Sequence, residues 1–205
     1  MKKNRVLLFL LMMTMWSFAE DVKIIRVMTD GREVAEYYPA DTETLTIFDS
    51  ASNGYRTLDI RGLDNLKNLK VLEFQTLPSL KNYNFLKEMT SVEDLYFDRV
   101  YFSDFSLLTN MTKLKAFKHR GYITNESVEK IYSEGLDFSF CPDLELLTLD
   151  PWERYFEFVP DIKVSSDKVW LRMENQPVTR NRMSKREKKI IERFLKVTLF
   201  HENAG

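Results

Sequence analysis

Residues 108–117, LTNMTKLKAF, carry apolar side chains at Leu108, Met111, Leu114 and Phe117, which is every third position. A helix repeats its faces about every 3.6 residues and a strand every second residue, so neither produces this spacing. Three other segments share it: LDNLKNLKVL at 63–72, LKEMTSVEDL at 86–95 and FSFCPDLELL at 138–147. Each continues two places on into one more inward position, occupied by Phe74, Phe97, His119 and Leu149. Successive segments are offset by 23, 22 and 30 residues. The pattern L-x-x-L-x-x-L-x-x-L-x-[LF] predicts a coil of chain that sends its apolar residues into a shared core. Its last few residues form a short strand that stacks in parallel on the strand of the next coil.

In phase with this pattern, residues 95–117 read LYFDRVYFSDFSLLTNMTKLKAF without a gap, and Asp59-Ile60 before Leu63 matches Asp104-Phe105 before Leu108. The chain thereby resembles the leucine-rich-repeat proteins, most closely the 22-residue repeat of bacterial internalins, over about residues 45–175. Val100 stands where that family has Asn, a residue that satisfies backbone groups after the strand, so a divergent, less regular solenoid is expected. The resemblance implies an α/β solenoid with a parallel concave sheet. Extending the phase pairs Val169 and Leu171 with Leu147 and Leu149, and Leu45 and Ile47 with Leu72 and Phe74, for about six short strands. The long third interval contains NESVEKIY at 125–132, whose Val128, Ile131 and Tyr132 fall at helical spacing, with Thr124 or Asn125 as cap. This predicts a short helix on the convex side.

The ends of such a stack need covers. Residues 22–28 and 33–38 flank Asp30-Gly31, a hairpin turn signal, and predict an N-terminal hairpin cap over residues 20–44. Residues 176–205 are expected to form a C-terminal helix cap. Within them SKREKKIIERFLKVTLF opens with a Ser184/Glu187 capping box and shows an apolar face at Ile190, Ile191, Phe194 and Leu195. The same segment is basic enough to meet an anionic surface. Capping is the reading adopted, because an end coil must be covered.

Residues 1–19 differ from the rest. Lys2, Lys3 and Arg5 precede an apolar run, and the small residues Ser17 and Ala19 suit a cleavage site, so a secretory signal peptide is expected. The run is short of the ~20 residues of a membrane span. Cleavage removes three positive charges and takes the net charge from −1 to −4, which does not favour nucleic acid as a partner. With Cys141 as the lone cysteine, an exported chain must hold together by packing.

Candidate chemistry is sparse. His119 occupies an inward slot and reads as a core imidazole. Cys141 takes the slot of Met89 and Met111 and reads as a small hydrophobe. No catalytic pair, metal spacing or glycine-rich phosphate loop stands out, so no cofactor is expected and no residue is assigned to catalysis or to a metal. Asn110 and Asn125 begin glycosylation-type tripeptides. The strand face is more informative. One outward row is predicted to hold Thr46, Glu73, Tyr96, Lys118, Thr148 and Trp170, and the next Gln75, Asp98, Arg120, Asp150 and Arg172. The second row alternates in sign from Asp98 onward, which a self-neutralised ladder would explain. Exposed Tyr and Trp beside Arg also suit a protein interface. The predicted binding residues are therefore Glu73, Tyr96, Asp98, Lys118, Arg120, Asp150, Trp170 and Arg172. The resulting expectation is a secreted, periplasmic or surface-displayed binding module, non-enzymatic, with a protein partner. The resemblance implies an adhesin-like role toward a host surface protein. The alternative is a structural or assembly component of the envelope. A membrane surface is not the expected partner, and the oligomeric state is left open.

Overall fold

A computed structural model describes residues 21–50, 54–122, 125–149, 159–173 and 183–199. The expected signal peptide, the candidate cap Thr124 and the candidate binding residue Asp150 lie outside the described residues.

The period of three is a chain of backbone hydrogen bonds. The amides of Leu66 and Leu69 donate to the carbonyls of Leu63 and Leu66, each at 3.2 Å. Met89 and Val92 do the same toward Leu86 and Met89, Met111 and Leu114 toward Leu108 and Met111, and Cys141 and Leu144 toward Phe138 and Cys141. An i→i+3 bond closes a 3-10 turn, whose three residues per turn stack side chains on one face. Formal 3-10 turns begin or precede three of these runs, at Leu63–Asn65, Asn84–Glu88 and Phe105–Leu108. All sixteen residues at the period-three positions of the four runs are at most 3% exposed, so the eclipsed face is the core.

Each run ends in a strand of one seven-stranded, all-parallel sheet. Its members in spatial order are β3 (Thr44–Phe48), β5 (Val71–Gln75), β6 (Asp94–Tyr101), β7 (Ala116–Tyr122), β9 (Leu146–Leu149), β11 (Trp170–Met173) and β12 (Lys196–Leu199). One register row runs Leu45, Leu72, Leu95, Phe117, Leu147, Leu171 and Val197. Behind the sheet, rings fill the core: Phe74 stacks on Phe97 at 5.4 Å, Phe97 on Phe102 at 4.5 Å, and Phe117 meets Phe138 at 5.4 Å. The expected helix forms as α1 (Asn125–Glu134) and leads into β8 (Leu136–Phe138), which pairs in parallel with β10 (Ile162–Val164) in a separate two-stranded sheet.

At the N-terminus β1 (Val22–Met28) and β2 (Glu33–Tyr38) form the expected hairpin, turned at Gly31 with φ +83°. The sheet has a third strand, however. β4 (Thr57–Arg61), expected as the approach to the first coil, lies antiparallel on the other side of β1. Arg26 joins this sheet to β3, bonding to Glu36, the Phe48 carbonyl, Thr57 and the buried Asp49.

Three further expectations are corrected. The parallel sheet has seven strands rather than about six. The seventh comes from the segment read as one C-terminal helix: α2 (Lys185–Ile191) has the expected Ser184/Glu187 capping box, but it ends at Ile191 and the chain turns into β12. Val197 and Thr198 are β-branched and suit a strand, while Leu195, read as part of the helix's apolar face, stands 71% exposed. The third correction is register. Leu171 pairs with Leu147 and Met173 with Leu149, two residues away from the expected alignment. A slip of two keeps every side chain on its face, so alternation alone does not detect it.

Candidate binding face on strands β5 to β7

The register sets which outward side chains are neighbours. Across β5, β6 and β7 the rows are Glu73–Tyr96–Lys118 and Gln75–Asp98–Arg120, as expected from sequence. Adjacent strands lie about 4.8 Å apart, so Tyr96 is flanked by a carboxylate on one side and an ammonium on the other. Glu73, Tyr96, Asp98, Lys118 and Arg120 line a depression of about 290 Å³, with Phe97, whose ring is buried in the core, between Tyr96 and Asp98. Five of the eight expected binding residues thus meet in one place. Thr46 donates from the neighbouring strand to Glu73 at 3.3 Å. Burial, followed by the nearby Asp94 and Glu73 charges, raises the Tyr96 phenol above its ordinary range, so it remains a neutral donor at physiological pH.

The rim is built from unusual backbone. Thr76 and Arg99 follow Gln75 and Asp98 at equivalent points and have φ of +54° and +55°. A β-branched residue in this region is an outlier, and such strain persists only where the surroundings hold it. The Thr76 amide donates to the Asp98 carbonyl at 2.8 Å, and Arg99 pairs with the Asp98 carboxylate at 3.2 Å. Arg99 also lies where the β6–β7 register shifts, between Asp98 and Tyr101, an irregularity of the kind that re-aims side chains. On β7, Gly121 approaches so closely that a Cβ there would overlap the Val100 carbonyl oxygen.

The remaining expected residues lie elsewhere. The slip in β11 puts Arg172, not Trp170, in the row of Tyr96 and Lys118, opposite Thr148. Thr148 is only 1% exposed, so the open part of this row ends near β7. Trp170 is half-buried and committed to β12: its indole N–H donates to Thr198 at 2.9 Å and the Lys196 ammonium sits 4.0 Å from its ring. The predicted ladder through Arg172 is therefore broken. An alternating row does exist, one that sequence reasoning missed, at the start of the strands: Glu43, Lys70, Glu93, Lys115 and Glu145. Lys70 pairs with Glu43 and Lys115 with Glu93, both at 2.6 Å. The spacings of this row are 27, 23, 22 and 30 residues, those of the strands themselves, so the repeat phase contained the signal.

His119 lies fully buried among Phe97, Phe102 and Phe105, and Cys141 is buried with its thiol directed at the Met111 carbonyl. Among the described residues no group of three or more His, Cys, Asp or Glu is placed to hold a metal ion. The depression combines carboxylates, cations and a phenol on one face of the sheet. It can exchange hydrogen bonds and charge with a polar polypeptide surface. Comparison with protein-family models and with curated proteins finds no match.

Proposed function

We propose that this chain is an exported leucine-rich-repeat solenoid that recognises a protein partner through its strand face, without catalysis. The observation that carries the reading is the convergence of Glu73, Tyr96, Asp98, Lys118 and Arg120 in one depression. The solenoid part of the reading draws support from the in-register inward row and from the recurring i→i+3 bonds of each coil. The resemblance to internalins makes a host surface protein the first partner to try. Export rests on the signal-peptide pattern of residues 1–19.

The test is capture by the immobilised mature chain from host surface extracts and from the producing cell's own envelope, with Tyr96→Ala alongside. Truncation of a central aromatic contact commonly costs about 2 kcal/mol, or roughly 30-fold in affinity. Tyr96→Ala is expected to lose binding to that degree while melting within a few degrees of the wild type. Unchanged binding by both Tyr96→Ala and Lys118→Ala overturns the assignment of the face. A second reading, an assembly component of the envelope, is favoured by the two sheet ends, where among the described residues β3 pairs only with β5 and β12 only with β11.

A further inference from the structure

Among the described residues the parallel sheet ends in two edges: β3 bonds only to β5, and β12 only to β11. Both strands run in the same direction, so β12 of one copy offers the edge that β3 of another copy needs. Apolar exposure concentrates at these two ends. Of six well-exposed large apolar side chains, Val34, Tyr37, Phe48 and Tyr55 belong to the β3 end, and Leu195 immediately precedes β12. Val34, Phe48 and Tyr55 line a cleft of about 390 Å³ between β2 and β3, whose walls Arg26 ties together through Glu36, Asp49 and the Phe48 carbonyl.

The charges of the two ends are opposite and equal. Residues 21–49 carry seven acidic and three basic side chains, a net −4, and residues 183–199 carry six basic and two acidic, a net +4. Lys185, Arg186, Lys188 and Lys189 on α2 are all exposed. We propose that the chain associates head to tail, the α2–β12 end of one copy seated against the β2–β3 cleft of the next. Complementary charge selects the second copy's opposite end and repels its like end. Such an interface is heterologous, so repeated association builds a ring where the rotation between copies closes and a linear string where it does not. The depression on β5 to β7 stays outside the junction, and this inference does not depend on its role.

Half-blocked variants of the full mature chain test it by sedimentation. Lys189→Glu with Leu195→Glu disables the basic end, and Asp41→Lys with Phe48→Lys disables the acidic end. All four positions are exposed, and far-UV circular dichroism confirms folding. The wild type is expected to show a weight-average mass at least twice the monomer's at high concentration. It should return toward monomer as salt rises from about 0.1 to 1 M, where screening shortens from about 10 to 3 Å. Each variant alone should remain monomeric, and an equimolar mixture should form a dimer that extends no further, through the one intact pair of ends. A monomeric wild type at every concentration overturns the proposal, as does a variant that self-associates or a mixture that stays monomeric. A monomeric chain that binds anionic vesicles through the α2 lysines reassigns the basic end to a lipid surface and overturns it equally.

Discussion

His119 makes the stability of this fold depend on pH in a way that one substitution isolates. Its imidazole is fully buried, its centroid about 6 Å from those of three phenylalanine rings, and among the described residues neither ring nitrogen makes a hydrogen bond. Burial disfavours the charged form and lowers its pKa from 6.5 to about 4, with nearby backbone groups of Phe102 and His119 offsetting only part of that cost. The unfolded chain therefore takes up a proton that the folded chain refuses. Stability is whole well above pH 6.5 and falls by about 1.4 kcal/mol per pH unit as pH drops toward 4, for a limit of about 3 kcal/mol. Between pH 7.5 and 5 the loss from this group is about 2 kcal/mol. His119→Leu supplies the residue that β9 carries in register, Leu149, and removes the titration. Urea unfolding of both proteins at pH 7.5 and 5 is the assay, because surface carboxylates contribute equally to the two and cancel in the difference. The wild type is expected to lose about 2 kcal/mol more than the variant. Equal losses would mean that His119 is protonated in the fold, or solvated, and would refute the reasoning.

Leu95 is fully buried between Leu72 and Phe117 in the inward row, so Leu95→Ala is expected to cost about 2–5 kcal/mol in urea unfolding, and a change below about 1 kcal/mol would contradict the packing described. Arg26→Ala leaves Asp49, whose side chain is 1% exposed, without its cation; a loss of about 3–5 kcal/mol is expected, largely recovered when Asp49 is also replaced by Asn. Trp170→Ala removes a hydrogen bond and a cation–ring contact to β12 worth about 1.5–2 kcal/mol together, so amide exchange in β12 should quicken by roughly 10-fold or more while β5 and β6 stay protected.

Most of the core was legible before any coordinates. The period-three runs name their own buried face, because a repeating i→i+3 geometry and an apolar repeat of three are one constraint seen twice. The Asp30-Gly31 turn and the Ser184/Glu187 box were equally readable, since each is decided by residues a few places apart. The pairing of Glu73, Tyr96 and Lys118 followed from offsets of 22 and 23 residues between complete repeats. Phase failed where the repeat was irregular. Around β11 two alignments both keep apolar residues inward, and the choice between them rests on which backbone groups meet across the sheet.

Two other segments were settled by competition between distant partners. Thr57–Arg61 was read, through Asp59-Ile60, as the approach to the first coil, but the other edge of β1 takes it up as an antiparallel strand. Residues 192–199 continue an amphipathic helical pattern, yet β11 offers an open edge and Trp170 a partner for Lys196 and Thr198, and tertiary hydrogen bonds outweigh a helical propensity of tenths of a kcal/mol per residue. The sequence by itself thus determined what local spacing encodes: the inward residues, the turns and the caps. Only the tertiary structure decided register, edge and exposure, because those depend on which strand arrives alongside and not on the strand alone.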